Sequence, residues 1–495
     1  MKLFSFLLLA GSASLSAITH EVGPGKTYSS IGAVPWASLN PGDQVLIHWR
    51  PEPYREKWCI NRSGTASAPI FIRGVQGANG KLPLIEADGA VTPPNHSFWN
   101  EERGLVKVGG ANFGDAGVPA YITIEALELR GAMQGSHYFD LLGRRIPYSD
   151  NAAGIYVERG SNITIRYCYI HHNGNGIFVG STNAYPSRDI LIERSAIHIN
   201  GLPGDGTHHN VYTSAINTTF QYNWLVIAPG EQSNNIKDRS ANLVVRYNWI
   251  EGGNRQLDLV DSDAADVRQA ASYHDTRVYG NTIVEYQGYD NSQIVHFGGD
   301  SGNLAQYRLR YLFFYNNTVI SGKQQQITLV RLSAPQAVAD IRNNIVWSPF
   351  AKVAILYDMG TAELRNNWIS DGWINREGGN AAVLNAGGNI GGYYPMFTDV
   401  VSLNVRPAAG APVINAGGAL NPLIGAGHDV TLEYARHFSG QSRLNDGRID
   451  IGAFEYGPAA RPVNAGEPLF PFAIDDPAAG WESGSAWSSV SQGIE

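Results

Sequence analysis

The sequence is poor in charge: Asp, Glu, Lys and Arg make up 16% of its 495 residues. It has only two cysteines, Cys59 and Cys168, which excludes a disulfide framework and leaves at most one bridge. Basic runs are absent and the net charge is −8. This argues against a nucleic acid or an anionic membrane surface as partner. Long apolar runs are missing as well. After residue 17 no stretch approaches the roughly 20 apolar residues that cross a bilayer. Glycine, by contrast, is plentiful at 56 residues, and hydrophobics reach 43%. That mixture suits a large core built from strands and many turns rather than helices.

The first 17 residues read as a secretion signal. Lys2 gives the positive start, Leu3–Ala10 the apolar stretch and Ser14–Ala17 the small-residue cleavage region. The mature chain is therefore expected to be exported, secreted or periplasmic, and a monomer. Export permits a bridge between Cys59 and Cys168. However, Cys168 occupies a position where neighbouring repeats carry Asn or Ser.

Residues 18–75 hold a short amphipathic segment (Ser29–Leu39), the turn Pro41-Gly42-Asp43, a strand over Gln44–His48 and a second strand in "SAPIFIRG". The pattern "PGD" plus strand, then "SGTASAPI" plus strand, resembles the N-terminal cap of the secreted pectate-lyase-like superfamily. That resemblance implies an all-β, right-handed parallel β-helix of about ten coils with an N-terminal helical cap, because solenoid ends need plugging. The division that follows is a cap with the first coils over 18–75 and a body over 76–370. Last irregular coils and a C-terminal cap follow over 371–457, where "RIDIGAFEYG" resembles the closing motif of such proteins. A low-complexity tail occupies 458–495.

From about 104 to 370 the chain repeats a unit of strand, turn and strand. Its marker column is Cys168, Ser195, Asn223, Asn248, Asn281, Asn317, Asn344 and Asn367, at spacings of 27, 28, 25, 33, 36, 27 and 23 residues. Strands stacked about 4.8 Å apart must stay in register while the loops between them vary. Asn tolerates a left-handed turn, and stacked amides can hydrogen-bond along the axis. An antiparallel sandwich also uses Asn turns, but a single Asn column favours parallel coils.

A second strand family follows each Asn turn: "GIYVE", "GIFVG", "NVYTS", "NIKDR", "DLVDS" and "IVHFG". Alternation aligns Ile155, Ile177, Val211, Ile236, Leu259 and Val295 inward. One outward column then carries Asn210, Asn235 and Asp258. Another carries Tyr156, Phe178, Tyr212, Lys237, Val260 and His296. Lys237 and Arg239 project from one face roughly 7 Å apart. His208 continues the outward parity, His209 lies at a turn, and Asp238 points inward.

These residues suit β-elimination on a uronic-acid polymer. Arg239 offers a planar charged fork for the sugar carboxylate. Lys237, crowded by that cation, is expected to have a lowered pKa and to act as base. Tyr212 is expected to protonate the leaving oxygen or to serve as the base, with His208 and His209 as further bases. Asn210, Asn235, Asp258, Tyr156, Phe178 and His296 complete a surface for an acidic polysaccharide. Resemblance to alginate and pectate lyases implies the same theme, some with calcium, for which Asp258, Asp261 and Asp263 offer oxygen ligands. In those lyases base and arginine often lie on different coils, whereas "NNIKDRS" places them two residues apart. Alternatives are a glycoside hydrolase with paired carboxylates among Asp258, Asp261, Glu158 and Glu231, a C5-epimerase, and a non-catalytic polysaccharide binder or adhesin. The pair His171-His172 reads as a polar turn or a metal site.

Overall fold

A computed structural model describes residues 17–114, 117–202, 204–227 and 232–457. The secretion signal up to residue 16, Glu231 and the tail from 458 lie outside the described residues. Three long, wholly parallel sheets of thirteen, eleven and eleven strands build the body, each strand pairing with its counterpart one coil away. The protein is thus a parallel β-helix. Its interior is one continuous apolar column running from Val22 to Ala381.

The expected strands Gln44–His48 and Ile70–Val75 form and pair in parallel. The Ser29–Leu39 segment differs from the expected helix. It makes two short 3-10 turns, Ile31–Ala33 and Trp36–Ser38, because Gly32 and Pro35 interrupt it. Ile31, Trp36 and Leu39 are nonetheless buried, and Trp36 stacks on Trp58 at 5.7 Å.

The marker column is a hydrogen-bonded ladder. Asn223, Asn248, Asn281, Asn317 and Asn344 each donate backbone N–H and side-chain amide to the Oδ1 of the next Asn. Asn367 extends it in the same way to Asn389. The left-handed residue is the one before each marker: Tyr167, Arg194, Tyr222, Tyr247, Gly280, Asn316, Asn343 and Asn366. The column therefore demands Asn for its amide rather than for its backbone freedom. Cys168 donates its backbone N–H to Ser195 Oγ at 3.2 Å and sits in this column, away from Cys59; both thiols are free and buried.

Beyond Gly392 the chain turns back along the outside of the coils. It covers a column of aromatics at the turns, among them Tyr222, Tyr247, Tyr279, Tyr315 and Trp249. Gly452 N–H reaches Asn343 O at 2.7 Å, Tyr315 OH reaches His428 O at 2.8 Å, and Arg194 Nη1 reaches Phe438 O at 3.3 Å. The candidate site lies on the third sheet, the eleven-stranded one that runs from Trp58–Ile60 through Ala153–Val157 and Asn234–Asp238 to Ile374–Arg376.

Candidate functional site

The register of the third sheet defines one outward column. Tyr156 pairs with Phe178, Phe178 with Tyr212, and Tyr212 with Lys237. Lys237 then pairs with Asp258, Asp258 with His296, and His296 with Arg331. Ile236 is inward in the core, so Lys237 and Arg239 face outward as alternation predicts. The position of Asp258 needs correction. Ile236 pairs with Leu257, not Leu259, so Asp258 and not Val260 sits in the Lys237 column. A two-residue slip preserves side-chain alternation, so the apolar pattern cannot detect it.

Lys237 Nζ bridges two carboxylates, Asp258 Oδ2 at 2.7 Å and Asp300 Oδ2 at 2.8 Å. Arg239 Nε donates to Tyr212 OH at 2.6 Å, and its Nη1 and Nη2 meet Asp300 at 3.0 and 3.1 Å. Arg239 Nη1 also donates to the carbonyl of Asp261. Asp258 Oδ1 accepts from His296 Nδ1 at 2.7 Å and lies 3.6 Å from Arg255 Nη1. Below this surface Asp238 is fully buried, paired with Arg308 and held by Thr213 Oγ1 at 2.6 Å.

The electrostatics reverse one expectation. Burial opposes the charge on Lys237, but Asp258 and Asp300 outweigh it and hold the pKa above its ordinary value. The nearby arginine does not lower it, and at rest Lys237 is an ammonium rather than a free base. Burial also opposes the charge on Asp258, yet the hydrogen bond from His296 and the charge of Lys237 hold its carboxyl well below the usual range. Asp300 is likewise held low against its burial, by Lys237 and then Arg239. Neither carboxyl keeps a proton near neutrality, so this pair lacks the general acid that a hydrolase needs. Burial pushes His296 below its ordinary value, and Asp258 only partly restores it. Burial and then Lys237 push His209 down to about 3. Both imidazoles are therefore neutral.

Several expected site residues lie elsewhere. Asn210 and Asn235 are fully buried, not outward. They form a second, interior amide ladder, Asn173–Asn200–Asn210–Asn235, with links of 2.8–3.0 Å. At the corner where the strand starts, these amides satisfy carbonyls that lie further along the chain at the corner before the next rung, Val226 O for Asn210 and Glu251 O for Asn235, and that demand overrides alternation. His208 is buried against Asp205 of its own loop, at 3.1 Å. His209 accepts the Asn234 N–H on Nδ1 and stacks near Tyr212 at 5.9 Å. Tyr156 is buried beneath Arg103, whose guanidinium lies 4.8 Å from its ring and 4.6 Å from that of Phe178. A covering side chain occupies that part of the aromatic column; Phe178 and Tyr212 stack at 4.8 Å beside it.

The calcium ligand set does not form. Asp258 is taken up by cations and His296, Asp261 Oδ1 accepts the Asp300 N–H at 2.8 Å, and Asp263 is exposed. Among the described residues no group of three or more His, Cys, Asp or Glu is placed to hold a metal. His171 instead pairs with Glu128 at 3.1 Å and His172 at 2.7 Å. Glu158 is engaged by Lys107 at 2.8 Å, away from Asp258.

A cavity of about 540 Å³ opens over the column, lined in part by Lys237, Asp258, His296, Arg331, Ser333 and Asp358. Arg255, Asp300, Arg331 and Ser333 were not recognised in the sequence. Continuing the alternation past His296 would have found Arg331, since Val295 pairs with Val330. Asp300 lies outside any strand and left no periodic signal.

No family model matches the sequence, and no curated protein matches it significantly. Solved structures do resemble it. The pectate lyase Pel9A aligns at 13% identity and TM-score 0.46, covering 90% of this chain and 97% of that one. An alginate lyase from Paenibacillus sp. FPU-7 aligns at 15% identity and TM-score 0.38, covering 74% and 98%. A lacto-N-biosidase from Eubacterium ramulus aligns at 14% identity and TM-score 0.39, covering 76% and 68%.

Proposed function

We propose that the protein is a polysaccharide-active enzyme that cleaves a uronic-acid-containing polymer by β-elimination on the outer face of the third sheet. The observation that carries this reading is the 2.6 Å hydrogen bond from Arg239 Nε to Tyr212 OH, one rung from the Lys237 ammonium. Rungs stand about 4.8 Å apart, which places a phenol and a cation within reach of one sugar unit.

The roles differ from those the sequence suggests. Arg239 already serves Tyr212, Asp300 and a carbonyl, so it supports the phenol rather than gripping substrate. Its permanent charge stands beside the Tyr212 oxygen and favours the charged form of the phenol that acts as base. Lys237 has three N–H donors and spends two on Asp258 and Asp300, leaving one for the sugar carboxylate. Tyr212, as phenolate, takes the proton from the carbon next to that carboxylate. The electron pair forms the new C=C bond as the glycosidic C–O bond breaks, and the leaving oxygen takes the proton back from Tyr212. His209 stays neutral behind the ring and packs rather than reacts.

The test is an ultraviolet absorbance screen of a panel of uronic-acid polysaccharides. Wild-type protein should generate an unsaturated sugar end on one of them. Tyr212→Phe and Lys237→Ala should each slow that reaction by about 100-fold or more. Failure to produce absorbance on any polymer, or a Tyr212→Phe variant with the full rate, sinks the proposal. Reducing ends without absorbance would indicate hydrolysis, and proton exchange without cleavage would indicate epimerisation.

A further inference from the structure

The same cavity contains a second chain of groups that elimination does not use. His296 Nδ1 meets Asp258 Oδ1 at 2.7 Å, and His296 Nε2 meets Ser333 Oγ at 3.2 Å. All three residues line the cavity. Asp258 and His296 share a rung pair, and Ser333 lies two residues beyond Arg331, the partner of His296 on the next rung. Three coils thus contribute one side chain each. Because Asp258 is ionised and accepts at Nδ1, the imidazole proton sits there and Nε2 is left as the acceptor facing Ser333.

Room for the serine is built into the backbone. Gly298 has φ of +132°, and a Cβ there would stand 2.4 Å from Ser333 Oγ. Gly299 N–H donates to Ser333 Oγ at 2.9 Å and fixes the oxygen. The single hydroxyl proton has three acceptors in reach: Gly299 O at 3.0 Å, His296 Nε2 at 3.2 Å and Phe297 O at 3.4 Å. Rotation about the Cβ–Oγ bond moves it onto the imidazole, and catalytic hydrogen bonds of this kind commonly tighten only once substrate is bound.

We infer that Ser333, His296 and Asp258 form a nucleophilic triad that hydrolyses a carboxylic ester carried by the polysaccharide. Ser333 Oγ attacks the ester carbonyl carbon and gives its proton to His296 Nε2. As the C–O bond breaks, His296 hands that proton to the leaving alcohol, and an acyl-serine remains. Water then loses a proton to His296 and attacks the acyl carbon. The acid departs as Ser333 recovers the proton. Arg331 lies on the strand that ends just before Ser333 and lines the cavity; its Nε and Nη2 meet Asp358 Oδ2 at 3.2 Å, and its Nη1 is the donor for the oxyanion. An ester on a sugar hydroxyl and an ester of the uronate carboxyl present the same carbonyl.

The test uses the whole protein with p-nitrophenyl acetate, an O-acetylated uronic-acid polymer and a methyl-esterified one. Release of acetate or of methanol is expected and tells the two ester sources apart. Ser333→Ala should lose about 1,000-fold or more of that release. A fluorophosphonate probe should attach to Ser333 in the wild-type protein, as read by peptide mass spectrometry, which guards against a misfolded variant. No release from any of the three esters, unchanged release in Ser333→Ala, or a probe that leaves Ser333 unlabelled overturns the proposal. Elimination is read separately: Ser333→Ala should still form the unsaturated product, so either activity can fail without the other.

Discussion

Replacing Asp238 tests what aims Lys237 and Arg239 outward. Asp238 lies between them in sequence, points inward and has no exposure. Its carboxylate pairs with Arg308, also fully buried, and accepts from Thr213 Oγ1 at 2.6 Å and Ser240 N at 2.9 Å. Arg308 further donates to Val260 O at 2.9 Å. Asp238→Ala leaves that guanidinium buried without an anion, which typically costs about 3–5 kcal/mol. Each donor left unpaired adds up to about 1–3 kcal/mol before relaxation. We expect a net loss of about 4 kcal/mol, seen as a fall of roughly 0.5–1 M in the urea midpoint, because the slope for a chain of this length exceeds the ~1–3 kcal/mol/M of small proteins. The double variant Asp238→Ala with Arg308→Met removes both charges and should recover most of the loss. If Asp238→Ala unfolds at the wild-type midpoint, or the double variant is no more stable than the single, the ion pair is not what holds this rung.

Further predictions concern the ladder, the histidines and the thiols. Asn248→Ala removes an amide that satisfies Asn223 N and Phe220 O deep in the body, and should cost about 2–5 kcal/mol in urea unfolding; Asn389→Ala, half-exposed at the end of the ladder, should cost less than about 1 kcal/mol. His209 is held neutral down to about 3, so the unfolded chain binds a proton between pH 6.5 and 3 that the folded chain refuses. Its contribution is present above 6.5 and is lost as pH falls, by about 2 kcal/mol at pH 5, so Tm should fall less steeply with acid in His209→Gln than in wild type. Cys59 and Cys168 are free and buried, with thiols pushed up to about 12 by burial. Iodoacetamide should label neither in the native protein and both after unfolding, and reductant should leave Tm unchanged.

The parts of this fold legible in sequence are those where a coil repeats a demand that only one side chain meets. Asn223 to Asn367 could be read as a ladder because each amide must serve the next turn whatever the loop length, and the structure keeps that order intact. Lys237 and Arg239 could be placed outward because Ile236, immediately before Lys237, has no other home than the core. Alternation fails at strand ends and cannot see slips of two. It sent Asn210 and Asn235 outward, where the corner carbonyls require them inside, and it put Val260 where Asp258 belongs. Asp300 stands on a turn, and turns carry no period.

The two-residue slip at Asp258 matters more than its size suggests. In the Asn235 column the carboxylate would have left Lys237 facing a cation alone, with the lowered pKa of a base. In its actual column it turns Lys237 into a fixed ammonium, orients His296 and leaves the Nε2 of that imidazole facing Ser333. One carboxylate thus sets the charge of one reacting group and the tautomer of another. Asp258→Asn should therefore impair both activities at once: it weakens the hold on Lys237, and its amide can offer His296 a donor in place of an acceptor. Ester release should fall by about 1,000-fold or more, as expected when the tautomer is wrong. The elimination profile should lose its rate on the alkaline side as Lys237 sheds its proton earlier. A variant that keeps both the ester rate and the wild-type alkaline limb would show that Asp258 serves neither group, and that its place in the column is only packing.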